Sequence, residues 1–82
     1  MKITNAIKKL EKAGFKVEKA DMHYRAVKED CRRLIEFCKN GREDSVTCIR
    51  VRRKGDIDDI YTDYHAGFFV DNISQAIKAV SI

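Results

Sequence analysis

Arg50, Arg52, Arg53 and Lys54 are the densest cationic run in this 82-residue chain. On a strand, side chains two apart project to the same side, so Arg50 and Arg52 could grip phosphates together. The same charges on a strand edge would instead discourage sheet-to-sheet aggregation. Downstream, the aspartates at 56, 58, 59 and 63 invite a calcium reading. An EF-hand loop opening at Asp56 would need an oxygen ligand at position five, glycine at six and glutamate at twelve; those places hold Ile60, Tyr61 and Gly67. The motif fails, and the segment reads as a solvated acidic loop. His23 and His65 stand far apart with no thiol at zinc-finger spacing, so no metal site is expected. Neither a nucleophile elbow, a Walker loop nor a dinucleotide fingerprint occurs, and nothing brings a Cys–His nucleophile pair together. The expectation is a non-enzymatic protein without catalytic residues or cofactor.

The stretch 61–70 is the most distinctive. Tyr61, Tyr64, Phe68 and Phe69 supply four of the chain's seven aromatic residues. One reading is structural: Phe68 and Phe69 enter the core, Gly67 allows a tight approach, and Thr62 or Asp63 ties down backbone amides. The other is an exposed aromatic patch for a partner, with Tyr61 and Tyr64 joining the basic run as a candidate interaction surface. Cys31, Cys38 and Cys48 form an odd set without a CxxC pair and are taken as reduced thiols. A Cys38–Cys48 bond across a hairpin would depend on a register that sequence does not fix.

Around these residues the periodicity gives the elements. Thr4 or Asn5 is expected to cap a first helix carrying Ile3, Ile7 and Leu10 on one face and Lys8, Lys9 and Lys12 outward. Gly14 suits the left-handed residue that ends it, with Phe15 folding back on Leu10. Residues 15–19 alternate as a half-buried strand. Residues 22–39 are ambiguous: Tyr24, Val27, Cys31, Leu34, Ile35 and Cys38 match a helix, whereas Arg33, Ile35, Phe37 and Lys39 fit one face of a strand. Residues 46–52 form a strand that needs an antiparallel neighbour, and Asn40-Gly41 before it signals a hairpin. In that hairpin Ile35, Phe37, Ile49 and Val51 would meet the helices. Leu34, Glu36, Cys38, Cys48, Arg50 and Arg52 would take the other face. A last helix opens near Asp71 or Asn72, with Gln75 completing a capping box and Ile73, Ala76, Ile77 and Val80 as its buried stripe.

Apolar residues make up 44% of the chain and charged residues 37%, which argues against disorder. The net charge is +4 but unevenly laid out: residues 31–54 carry eight basic against three acidic groups, and residues 55–82 one lysine against five aspartates. The length allows one domain over residues 1–82, with a thin core. No run approaches a membrane span, and the opening residues lack an apolar signal core, which points to the cytoplasm.

Several of these pieces together resemble a known family. They are residues 46–53, an acidic linker, Thr62-Asp63-Tyr64, Ala66-Gly67-Phe68-Phe69, and Asp71-Asn72-Ile73 with Ala76-Ile77. This pattern resembles the large polyvalent protein-associated domain of type twenty-nine, found in phages and conjugative elements. The similarity covers about 35 C-terminal residues and, more loosely, the Ala13-Gly14-Phe15 end of the first helix. It implies a small α+β module with no established catalytic residues, a host-cytoplasm location if phage-encoded, and a strand over 32–39. The element order also resembles the double-stranded RNA-binding domain, which grips phosphates with a lysine-rich start to its last helix. Here that turn is Asp71-Asn72-Ile73-Ser74, without lysine.

The expected architecture is α+β: an N-terminal helix, a three-stranded antiparallel sheet and a C-terminal helix, with 22–39 left open to a helix. The expected function is an interaction module of phage or mobile-element type acting through a protein partner. The alternative is nucleic-acid binding through Arg50, Arg52, Arg53, Lys54 and the lysines of the first helix. Membrane binding is not expected, and the chain is read as a monomer or an edge-paired homodimer.

Overall fold

The computed structural model describes residues 1–20, 23–53 and 67–81. Helix α1 runs Ile3–Lys12. No side chain caps its start; Lys2 occupies the N-cap position instead of Thr4 or Asn5. The chain before the helix is held by the hairpin beside it: the Ile3 amide donates to the Asp44 carbonyl at 2.7 Å and the Val46 amide to the Met1 carbonyl at 2.8 Å. Those backbone bonds replace the expected side-chain cap. The other end matches expectation. Gly14 sits at φ +95°, and the Phe15 amide reaches back to the Leu10 carbonyl at 3.0 Å, closing the helix as a glycine end does.

Five strands follow among the described residues rather than three: β1 (Lys16–Ala20), β2 (His23–Val27), β3 (Arg33–Lys39), β4 (Val46–Arg53) and β5 (Gly67–Phe69). They form one antiparallel sheet in chain order. The open question over 22–39 resolves into two strands. The apparent helical period of Tyr24, Val27, Cys31 and Leu34 runs through β2, the turn after it and β3. Helix α2 (Ile73–Val80) closes the fold, and its capping box forms as expected: the Gln75 amide donates to Asn72 Oδ1 at 2.9 Å, while Gln75 Oε1 accepts from the Asp71 amide at 3.0 Å. No helix among the described residues is long and apolar enough to cross a membrane.

Both helices pack on one face of the sheet. Ile3, Ala6 and Leu10 of α1 and Ile73, Ala76 and Val80 of α2 bury against Ala26, Ile35, Phe37, Ile49 and Val51. The assignment of Ile35, Phe37, Ile49 and Val51 to the helix side therefore holds. Arg33 anchors the end of α2, donating from Nη1 to the Ala79 carbonyl at 3.0 Å.

The β3–β4 ladder is not regular. Glu36 pairs with Arg50 but Cys38 pairs with Thr47, so Cys48 and Ile49 together face Phe37. This is a β-bulge, with Cys48 at φ +52° as its left-handed residue. Without the extra residue, a one-position slip would turn every side chain of one half of β4 to the wrong face.

Two expectations need correction. Phe68 and Phe69 do not enter the core; they are 45% and 70% exposed. They lie on a three-residue edge strand: Phe69, opposite Arg50, shares the face turned away from the helices, and Phe68, opposite Val51, lies against Arg33 instead of in the helix-side core. Gly67 does make the expected close approach, since a Cβ there would stand 2.7 Å from the Val51 carbonyl oxygen. Second, β4 is no edge strand: it lies between β3 and β5, so its arginines do not guard a free edge.

Candidate functional site

The sheet face turned away from the helices is organised around one carboxylate. Glu18, Arg25, Glu36, Arg50 and Phe69 stand opposite one another in a single row across all five strands. The row alternates acid and base and ends on an aromatic residue. Direct cross-strand neighbours of opposite charge favour this pairing.

Glu36, 5% exposed, is the hub. Arg52 forks onto it, with Nε 2.6 Å from Oε1 and Nη2 2.9 Å from Oε2. Arg50 Nη2 donates to Oε1 at 2.9 Å, and Arg25 Nη2 lies 3.4 Å from Oε2. His23 Nε2 is 3.1 Å from Oε2. Three guanidiniums and an imidazole thus surround one carboxylate. The two short hydrogen bonds, from Arg50 Nη2 and Arg52 Nη2, are charge-assisted, and burial makes each partner depend on the others.

Burial is the largest influence on the Glu36 carboxyl and pushes its pKa up. The hydrogen bonds from Arg50 and Arg52, then the charges of Arg52 and His23, outweigh burial and hold it below the ordinary 4.5. The sign follows from linkage. A carboxyl with a lowered folded pKa binds fewer protons folded than unfolded. Its contribution is complete above the unfolded value and is lost as pH falls through the folded one. Urea midpoints are therefore expected to fall as the pH drops below the ordinary 4.5 of the carboxyl, with a shallower fall in Glu36→Gln; parallel curves for the two proteins would contradict this.

A hollow of about 310 Å³ opens beside the hub, lined by His23, Arg25, Arg50, Cys38, Cys48 and Phe69 together with Glu36, Phe37 and Arg52. Arg25 Nε is buried with no acceptor among the described residues. The Phe68 ring, on the opposite side of β5, lies under the Arg33 guanidinium, 5.7 Å from it.

Of the residues singled out from sequence, the structure brings Arg50 and Arg52 together and leaves Arg53 exposed. Arg52 is 2% exposed, and its guanidinium lies against Glu36 rather than at the surface. Lys54, Tyr61, Tyr64, His65 and the aspartates at 56, 58, 59 and 63 lie outside the described residues. His23, Arg25 and Glu36 were not picked out as site residues. Their signal was an acid set inside an apolar strand, which becomes legible only once β2 is known to lie beside β3. Comparison with known proteins returned no match: neither a family model, nor a curated protein, nor a solved structure corresponds to the chain.

Proposed function

We propose that this chain is a small interaction module that acts without catalysis through a protein partner, docking it at β5 and the adjoining hollow. The observation that carries this reading is the exposure of Phe69, at 70%, on the rim of a hollow lined by Arg25 and Arg50. An exposed aromatic ring beside half-buried arginines around a concave centre combines the residue types that anchor protein interfaces. A phage or mobile-element setting belongs to the same proposal and rests on the sequence resemblance alone.

Nucleic-acid binding is the second reading. It keeps Arg53 and the outward lysines Lys8, Lys9 and Lys12 of α1, all exposed, but Arg52 faces Glu36 and offers no surface phosphate contact. Titrating labelled protein with a short DNA or RNA duplex, at low and moderate salt, separates the two. The expected spectrum stays unchanged at moderate salt. Shifts localised to Arg53 and α1 that weaken steeply with salt would overturn the protein-partner reading.

A further inference from the structure

We propose that Cys38 and Cys48 are a redox-reactive pair that an oxidant of the peroxide class converts to an intramolecular disulfide joining β3 to β4. The inference is independent of the partner reading. Both residues line the same hollow, Cys48 exposed and Cys38 partly so, and both are free thiols. Register brings them together. Cys38 stands directly opposite Thr47, and Cys48 is the next residue, turned by the bulge to the same side. A cross-strand step of about 4.5–5.5 Å with one residue of about 3.3 Å along the strand puts the two Cα atoms roughly 5.5–6.5 Å apart. Disulfides span about 4.4–6.8 Å between Cα atoms, so little backbone movement is needed.

The left-handed position of the bulge is one that glycine fills without steric cost, yet here it carries a thiol at φ +52°. The two thiols also sense each other: burial first, then the Cys48 and Glu36 charges, push the Cys38 thiol up, against the opposing charge of Arg50. Cys38 is accordingly held protonated while Cys48, the exposed partner, meets the oxidant first.

The chemistry balances in two steps. The Cys48 thiolate attacks hydrogen peroxide, the O–O bond breaks, and a sulfenic acid and hydroxide form. Cys38 sulfur then attacks the Cys48 sulfur; the S–O bond breaks, the Cys38 proton leaves with the departing oxygen as water, and the S–S bond forms. Two electrons pass from the thiol pair to the peroxide. Cys31 takes no part: it packs against the helix-side core, between β2 and β3 in sequence, and is not among the residues that line the hollow.

The test treats the purified full chain with hydrogen peroxide and counts the remaining thiols. Trypsin then separates residues 34–39 from 43–50, so that a bridge appears as one linked peptide pair. The expected result is loss of two of the three thiols, a 34–39/43–50 cross-link, recovery with dithiothreitol, and Cys31 still open to alkylation. Cys48→Ser should lose the cross-link and leave Cys38 as a free thiol, and Cys38→Ser should stop at the Cys48 sulfenic acid, trapped by dimedone. Three retained thiols, a bridge to Cys31, bonds only between chains, or oxidation of Cys48 past sulfenic acid in the wild type without a bridge would each overturn the proposal.

Discussion

Replacing Glu36 with alanine is expected to cost about 3–5 kcal/mol, because it leaves guanidiniums gathered around a carboxylate that is no longer there. The charge most affected is Arg52, whose side chain is 1% exposed and cannot turn to water without opening the sheet. Small domains have total stabilities toward the low end of about 5–15 kcal/mol, so the variant should show little or no cooperative urea transition at neutral pH. Glu36→Gln keeps an acceptor of nearly the same shape and should fold, with a lower midpoint. The contrast distinguishes lost charge from lost packing. If Glu36→Ala unfolds within about 1 kcal/mol of the parent, the hub is solvated and the buried-carboxylate description is wrong.

The second large effect lies on the other face of the same strand. Phe37 is fully buried, stacks on Tyr24 with ring centroids 5.4 Å apart, and faces the bulge formed by Cys48 and Ile49. Phe37→Ala removes a ring from the middle of a thin core and is expected to cost about 3–5 kcal/mol. At about 4–8 °C per kcal/mol for a domain of this size, the thermal midpoint should fall by more than about 12 °C. Phe37→Leu keeps most of the volume and should lose much less. A small loss for the alanine variant would mean that Phe37 is not enclosed by β2, β4 and the helices, and that the register on both sides of β3 is misplaced.

The two substitutions sit on adjacent residues of one strand with opposite environments, which is where sequence reasoning did well and where it fell short. The alternation of Ile35 and Phe37 against Leu34 and Glu36 was readable, because a buried face imposes a period of two. Gly14 and the Asn72–Gln75 box were readable because each residue type meets a specific backbone need. Strand β2 was not. Among its five residues only Ala26 is buried, and its spacing with Cys31 and Leu34 imitates a helical stripe. Strand β5, three residues long, is too short for alternation to register. The site inherits both gaps. Without β2, nothing shows that Arg25 lies opposite Glu36; the hairpin put Glu36, Arg50 and Arg52 on one face, but the bulged register that sets Arg50 directly across from Glu36 was not legible. Without β5 at the edge, Phe68 and Phe69 read as core.

The most direct test of the proposed docking surface places a photoreactive phenylalanine analogue at position 69 and, separately, at position 18. The experiment is run in cells that make the chain. Both positions lie in the same cross-strand row, at opposite edges of the sheet. The expected result is a discrete protein adduct from position 69 that is absent from position 18. Adducts to nucleic acid, equal labelling from both positions, or no adduct at position 69 would contradict a partner seated on β5.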